Sequence, residues 1–196
     1  MKHVSVIVKK NEKRMLPFIW VDDKENEVIV DVELVGEGAS VTVVGLFLGT
    51  GNNTLGFNTK ITHKAPRTKS LTILRGVFRD KSAFSNDGLV TIQKGAKGSD
   101  GYFTSKVLLF DDAKGKSVPS LEIDENELKA GHASTVGKPD EEQLFYLQSR
   151  GLSEKQAIEL IVSGFFETMM VFLSNAEQKI MRKRLSRSGY VSYSTL

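Results

Sequence analysis

The chain has 196 residues, of which 40% are hydrophobic and 26% charged, a composition typical of a soluble globular protein. It contains no cysteine, which excludes disulfides, thiolate catalysis and thiolate ligation of a metal by this chain. The net charge of +3 is small, and neither a membrane-spanning run of roughly 20 apolar residues nor a signal peptide is evident, so we expect a cytoplasmic protein without membrane contact.

Residues 1–136 are expected to form a β-rich core, with residues 1–27 leading into it. Residues 28–34 alternate apolar and acidic side chains, the pattern of a strand with one wet face. Strand centres then recur about every 15 residues, which fits a sandwich, a barrel or a coiled β-solenoid without choosing among them. Further strand candidates are residues 41–48, 57–62, 71–77, 89–93, 102–110 and 121–123, and the turn-forming segments between them include residues 49–53, 85–88 and 111–119.

Residues 137–196 have the pattern of a C-terminal helical segment. Pro139 and the acidic residues after it suit the start of a helix, which Arg150 and Gly151 end. Gly164 is expected to break or bend the second helix, and the sequence from Ser186 onward is expected to fray. Two capping-box patterns mark further helix starts, Ser153 with Gln156 and Ser174 with Glu177.

Motifs for catalysis are weak. The three histidines lie far apart in sequence, so none has helical metal-ligand spacing with another. A triad of Ser105, His132 and Asp111 can be assembled on paper, but no nucleophile elbow surrounds any serine. Two alternative functions stay open, a β-helical enzyme acting on carbohydrate with carboxylates along one face, and a nucleic-acid adaptor that uses the basic residues near both termini.

One block of sequence is far more specific. It runs from Leu121-Glu122-Ile123 through Gly131-His132-Ala133-Ser134-Thr135-Val136-Gly137-Lys138 to Asp140-Glu141-Glu142-Gln143-Leu144-Phe145-Tyr146-Leu147-Gln148-Ser149-Arg150-Gly151-Leu152. With the upstream stretch His63-Lys64-Ala65-Pro66, it resembles the SufB/SufD family of iron–sulfur cluster assembly proteins over roughly residues 35–170. The resemblance implies a right-handed parallel β-helix followed by a small helical domain.

The resemblance also implies partners. Members pair through their β-helices, and their C-terminal helices dock the ABC-type ATPase SufC, which hydrolyses ATP. The chain would then be a non-catalytic subunit that pairs with itself or with a SufB-type subunit, without binding nucleic acid. The residues that the resemblance assigns to SufC-type docking are Leu144, Phe145, Tyr146, Arg150 and Gly151.

Two departures from the family pattern make the chain SufD-like. Ser105 falls where the SufB type has a cysteine, and Ala133 follows the histidine where the SufB type has a glutamate. The resemblance places His132 and Ser105 at the cluster-assembly interface, with His132 as the candidate metal ligand. It implies no tightly bound cofactor, only a transient iron–sulfur cluster shared with a partner, because a hydroxyl is a poor substitute for a thiolate on iron.

Overall fold

The computed structural model describes residues 1–187, which form ten β-strands followed by three α-helices. The strands are β1 (Lys2–Val8), β2 (Lys13–Val21), β3 (Glu27–Leu34), β4 (Ser40–Gly49), β5 (Thr54–His63), β6 (Lys69–Phe78), β7 (Ala83–Ile92), β8 (Ser99–Leu109), β9 (Lys114–Ile123) and β10 (Leu128–Gly137). The helices are α1 (Glu141–Ser149), α2 (Glu154–Glu167) and α3 (Asn175–Arg187), with a short 3₁₀ helix (Met170–Phe172) between the last two.

The strands wind into a parallel β-solenoid. The odd-numbered strands form one sheet, β1-β3-β5-β7-β9, called the odd sheet below, and the even-numbered strands form the even sheet, β10-β8-β6-β4-β2. Every pairing is parallel, and Val30 pairs with Thr59 one turn later. Each turn of the solenoid contains two strands, so the spacing of about 15 residues between strand centres corresponds to half a turn. The predicted parallel β-helix is confirmed.

Each of the first four turns of the coil reverses direction at residues with positive φ on both sides. Glycine, asparagine and aspartate tolerate this conformation best, so different residue types occupy equivalent positions and hide the repeat from the sequence. Stacked turns are joined by hydrogen bonds, for example from the Gly51 amide to Asp80 Oδ2 at 2.8 Å and from the Asp80 amide to Asp111 Oδ2 at 3.0 Å. One row contains Asn11, Gly38, Arg67 and Gly98, and the other contains Asp22, Gly51, Asp80 and Asp111.

The molecule has two hydrophobic cores. The first fills the interior of the solenoid with side chains such as Val30, Phe57 and Phe103. The second lies between the helices and the outer face of the even sheet, where Val162 and Phe166 pack with strand residues such as Leu46. The helices therefore cover one sheet of the coil, and their burial holds the C-terminal segment in place.

The structure changes three expectations about the strands. The lead-in residues form β1 and β2, the first turn of the coil. The turn predicted at residues 85–88 is wrong, and that predicted at residues 111–119 is right only for residues 111–113, because the other residues lie within β7 and β9. Asn86 and Gly88 are inward-facing strand residues: Asn86 Nδ2 donates to the Phe57 carbonyl, and a Cβ on Gly88 would overlap the ring of Phe103.

The helix starts predicted at Ser153 and Ser174 are confirmed, whereas Pro139 precedes the N-cap of α1 and is not its first residue. Asp140 caps α1 by accepting from the Glu142 amide at 2.9 Å, and Ser153 with Gln156 forms a complete capping box at α2. Ser174 and Glu177 make the same reciprocal contacts before α3. The sequence predicts that Gly164 breaks or bends the second helix, and the break is wrong, since α2 continues to Glu167. The fraying predicted from Ser186 falls almost entirely outside the described residues.

None of the helices within residues 1–187 has the length and hydropathy required to cross a bilayer.

Candidate functional site

The last turn of the solenoid leaves two strand edges without a neighbour in the described chain. β9 pairs only with β7, and β10 pairs only with β8. The inward side chains of this turn have no further turn above them, so His132 and Ser134 are exposed although they point toward the coil interior. An unpaired strand edge is a ready template for pairing with another chain.

The free edge of β10 is intact. The Asp100 amide donates to the Thr68 carbonyl and the Phe110 amide to the Phe78 carbonyl, both at 2.9 Å, so the even-numbered residues of β8 bond to β6. The odd-numbered residues of β8 therefore bond to β10, because backbone groups alternate in direction along a strand. With Phe103 in register with His132, the backbone groups on the free edge belong to Leu128, Ala130, His132, Ser134 and Val136.

The free edge of β9 is interrupted. The Lys114 amide donates to the Ser82 carbonyl at 3.0 Å and the Asp124 amide to the Ile92 carbonyl at 2.9 Å, so the even-numbered residues of β9 bond to β7. The five odd-numbered residues between positions 115 and 123 face the free edge, and Pro119 is the middle one. Since proline has no N–H, β9 lacks a donor at the centre of its edge.

The coil interior becomes more polar toward this end. Ser105 is fully buried on β8 and its hydroxyl has no hydrogen-bond partner among the described residues, while Ser134 lies in register with it on β10. The Ser117 hydroxyl donates to Asn86 Oδ1 at 3.1 Å. The earlier turns place valine, leucine and phenylalanine at most inward positions. The last turn thus has a polar inner face.

Ser105 and His132 occupy different environments. Both point inward from neighbouring strands, but His132 is in register with Phe103, so the two Cα atoms lie about 8 Å apart by strand geometry. Ser105 is buried and His132 is exposed. Residues 1–187 contain no group of three or more His, Asp or Glu side chains that could hold a metal ion.

The buried histidine of the coil is His63, which has a structural environment. Its Nδ1 hydrogen-bonds with Thr68 Oγ1 and its Nε2 with Ser70 Oγ, each at 2.8 Å, and Thr68 Oγ1 also contacts Ser99 Oγ at 2.8 Å. Burial lowers the pKa of His63 to about 4, against a smaller opposing influence of Asp100. The imidazole is therefore neutral at physiological pH and links the turns around it.

Helix α1 presents its aromatic residues to solvent. No residue of this helix is buried, and Phe145 and Tyr146 are 72% and 56% exposed. The Arg150 guanidinium lies 5.2 Å from the centre of the Tyr146 ring, Leu144 is partly buried, and Gly151 ends the helix with φ of +93°. The two aromatic side chains are mostly exposed to solvent, and we call this pair the α1 aromatic patch.

Two further polar clusters lie away from the last turn. Asp22 accepts from the amide and hydroxyl of Thr50, which fixes a turn. On the outer face of the odd sheet, Ser5 Oγ and Asp31 Oδ2 both approach the same nitrogen of His3, Nε2, at 3.5 and 2.6 Å. A catalytic triad uses both ring nitrogens, one toward the hydroxyl and one toward the carboxylate, so this cluster is not arranged as a triad.

The basic C-terminal helix is partly neutralised by ion pairs. Arg182 binds Glu167, and Arg184 binds Asp23 at 2.8 Å, which ties α3 to the first turn of the solenoid. Because both guanidinium groups are paired with carboxylates, they are less available to bind phosphate. This weakens the alternative in which the chain binds nucleic acid.

A parallel β-solenoid with a helical segment on one sheet places the chain among the coiled β-proteins. Comparison with known proteins identifies the family. The model of the SUF system iron–sulfur cluster assembly SufBD core domain matches residues 4–165. The chain belongs to this SufBD family, which assembles iron–sulfur clusters.

Several relatives carry the same family name. A SufBD family protein of Mycobacterium bovis is 35% identical over 79% of this chain and 41% of its own length. SufD of Bacillus subtilis is 34% identical over 67% of this chain and 30% of its own length, and a SufBD family protein of Staphylococcus saprophyticus is 33% identical over 76% and 33%. The match thus covers less than half of the length of these relatives.

Proposed function

We propose that the chain is a non-catalytic, SufD-like component of iron–sulfur cluster assembly that docks a SufC-type ABC ATPase and pairs with itself or with a SufB-type subunit. The observation that carries this proposal is the α1 aromatic patch. Phe145 and Tyr146 are large, exposed and close in sequence on a helix that buries none of its own residues. Exposed aromatic side chains next to an arginine have the composition of a binding hot spot.

The chemistry of the last turn supports an auxiliary part in cluster assembly. The chain has no cysteine, so any cluster must take its thiolate ligands from a partner subunit. His132 is exposed beside the free edge of β10, where a partner strand can approach, and Ser105 lies buried beneath the last turn. We therefore assign His132 as the residue of this chain that can contribute a ligand at a shared site, and Ser105 as an interior residue next to it.

Substituting the α1 aromatic patch tests ATPase docking. The double variant Phe145→Ala, Tyr146→Ala is expected to weaken binding of a SufC-type ATPase from the same organism by at least about tenfold, because the variant removes two hot-spot side chains. Biolayer interferometry with the purified ATPase measures the dissociation constant, and ATP turnover with and without the chain measures stimulation. Neither substitution should alter folding, since both side chains are largely exposed.

The matched control is Val171→Ala, which removes another exposed apolar side chain, 78% exposed, outside α1. It should leave the dissociation constant unchanged. If the wild-type chain neither binds nor stimulates the ATPase, the proposed docking role is wrong, and cleavage of a polysaccharide by the purified chain would instead favour the enzyme alternative.

A further inference from the structure

We infer that the first turn of the solenoid binds an anionic amphiphile, a small molecule with an apolar body and one carboxylate or sulfonate group. The site is a cavity of about 440 Å³ between the start of β1, the end of β2 and the turn that follows β2, called the first-turn cavity below. It lies at the opposite end of the coil from β9 and β10, so the inference does not rest on the proposed docking function.

The inner wall of the first-turn cavity is aromatic. The ring of Phe57 lies 5.2 Å from the ring of Phe18 and 4.7 Å from the ring of Phe47, measured between centroids. Phe47 and Phe57 are covered by the core, whereas Phe18 is only partly buried. An apolar ligand that packs against Phe18 would extend this cluster. The volume of the cavity also falls in the range of sites for small molecules, about 300 to 1,000 Å³.

The acidic groups at the mouth of the cavity are already paired. Asp23 Oδ2 accepts from the Arg184 guanidinium at 2.8 Å, and Glu25 Oε2 lies 3.1 Å from the amino group of Met1. The polar atom of Trp20 is used as well, because its indole nitrogen donates to the Glu25 carbonyl at 2.7 Å. Among the described residues that line the cavity, no carboxylate is left for a cationic ligand.

The basic groups at the mouth are available. Lys2 and Lys24 line the cavity and are exposed, and neither forms an ion pair with another residue in the part of the chain that the structure describes. Lys2 Nζ lies 6.0 Å from the centre of the Phe18 ring, which places a positive charge directly beside the aromatic wall. A ligand with its anionic group at Lys2 and its apolar body on Phe18 would satisfy both. Charge complementarity therefore selects an anion.

The edge of β2 favours a small molecule over a partner strand. The Ser40 amide donates to the Glu12 carbonyl at 2.8 Å. The Asp22 amide donates to the Leu48 carbonyl at 3.2 Å, so the even-numbered residues along β2 bond to β4. The five odd-numbered residues of β2 face the other way, and Pro17 is the middle one. Proline has no N–H, so this edge cannot form a continuous ladder, and the cavity lies beside the interruption.

Trp20 makes the inference directly measurable, because it is the only tryptophan of the chain and it lines the cavity. The probe is anilinonaphthalene sulfonate, an aromatic anion that accepts excitation energy from a nearby tryptophan. Titration of the full chain should give saturable energy transfer from Trp20 with one probe bound per chain. Transfer that rises without saturation would show non-specific adsorption and would refute the site.

Substitution of the two lysines tests the charge. The double variant Lys2→Gln, Lys24→Gln should raise the dissociation constant of the probe about tenfold, because the sulfonate loses its charged partners. The matched control Lys114→Gln, Lys116→Gln removes two exposed lysines of β9 and lowers the net charge equally, and it should leave the dissociation constant unchanged. Equal weakening in both double variants, or none in the first, would overturn the inference.

Substitution of the aromatic wall tests the apolar part of the site. Phe18→Ala should also weaken the probe about tenfold, with circular dichroism confirming the fold. The variant Phe145→Ala, Tyr146→Ala should keep the energy transfer in full. Loss of transfer in that variant would mean that the probe binds the α1 aromatic patch, and the first-turn cavity would be refuted while the patch remained a binding surface.

Competition tests the class of ligand and needs no substitution, so it decides the matter even if Phe18→Ala does not fold. Laurate, at a concentration below its micelle formation, should displace the probe and abolish the energy transfer from Trp20. Dodecyltrimethylammonium, which has an alkyl chain of the same length and a positive charge, should not displace it at the same concentration. Equal displacement by the two amphiphiles would overturn the selection for an anion, and failure of laurate to displace the probe would overturn the proposed ligand class.

Discussion

Replacing Gly36 with alanine is expected to lower the free energy of unfolding by about 3 kcal/mol, the upper end of the usual cost of overpacking. Gly36 lies in the turn between β3 and β4, directly against the turn between β1 and β2. A Cβ at this position would overlap the backbone nitrogen and Cα of Lys10. Side-chain rotation cannot relieve a clash with backbone, so the two stacked turns would have to separate. Urea unfolding followed by circular dichroism measures the change.

The control for this prediction is Gly137→Ala at the end of β10. A Cβ there would meet no atom within 4 Å, so the free energy of unfolding should change by no more than about 0.5 kcal/mol. Similar changes in the free energy of unfolding for the two variants would contradict the prediction. They would show that the turns around Gly36 and Lys10 can separate without an energetic cost.

The sequence predicts the parts of the fold that follow from local pattern. The alternation over residues 28–34 identifies β3, and the capping residue Ser153 marks the start of α2. Asn86 and Gly88 are misread as a turn, because their local preference is overridden by the interior of the coil, where the amide side chain bonds to a carbonyl and the glycine makes room for Phe103.

The candidate site depends on information that a single sequence does not contain. No strand is evident over residues 128–137, since β10 is rich in small and polar residues and lacks a covering turn. The resemblance directs attention to His132 and Phe145. It does not reveal which backbone groups reach the free edge of β10, nor that Pro119 interrupts the free edge of β9. These relations arise from the register of strands about 30 residues apart in sequence.

The polar interior explains why an exposed end is compatible with a stable coil. The first turns bury mainly aliphatic and aromatic side chains, which supply the hydrophobic free energy of the fold. The last turn replaces some of these with serine and histidine, so leaving it open exposes less apolar surface than leaving an early turn open would. The first turns thus supply most of the buried apolar surface, and His63 lies between them and the open last turn.

The stability of the chain is expected to depend on pH through His63. Its pKa is about 4 in the folded chain and about 6.5 when unfolded, so the unfolded state binds the proton more readily between these values. The stabilisation from the neutral buried ring is complete above pH 6.5 and is lost as the pH falls toward 4. The loss amounts to about 3 kcal/mol. Urea unfolding at intervals between pH 7 and pH 4 measures it.

A substitution isolates this effect from that of the carboxylates. His63→Gln retains one donor and one acceptor for Thr68 and Ser70 but cannot take up a proton, so its stability should fall less steeply with decreasing pH than that of the wild type. His132→Ala, which removes an exposed imidazole, should keep the wild-type slope. A wild-type slope in His63→Gln would mean that the buried ring gains a proton as easily in the folded chain as in the unfolded one, and that the hydroxyls around it accommodate the charge.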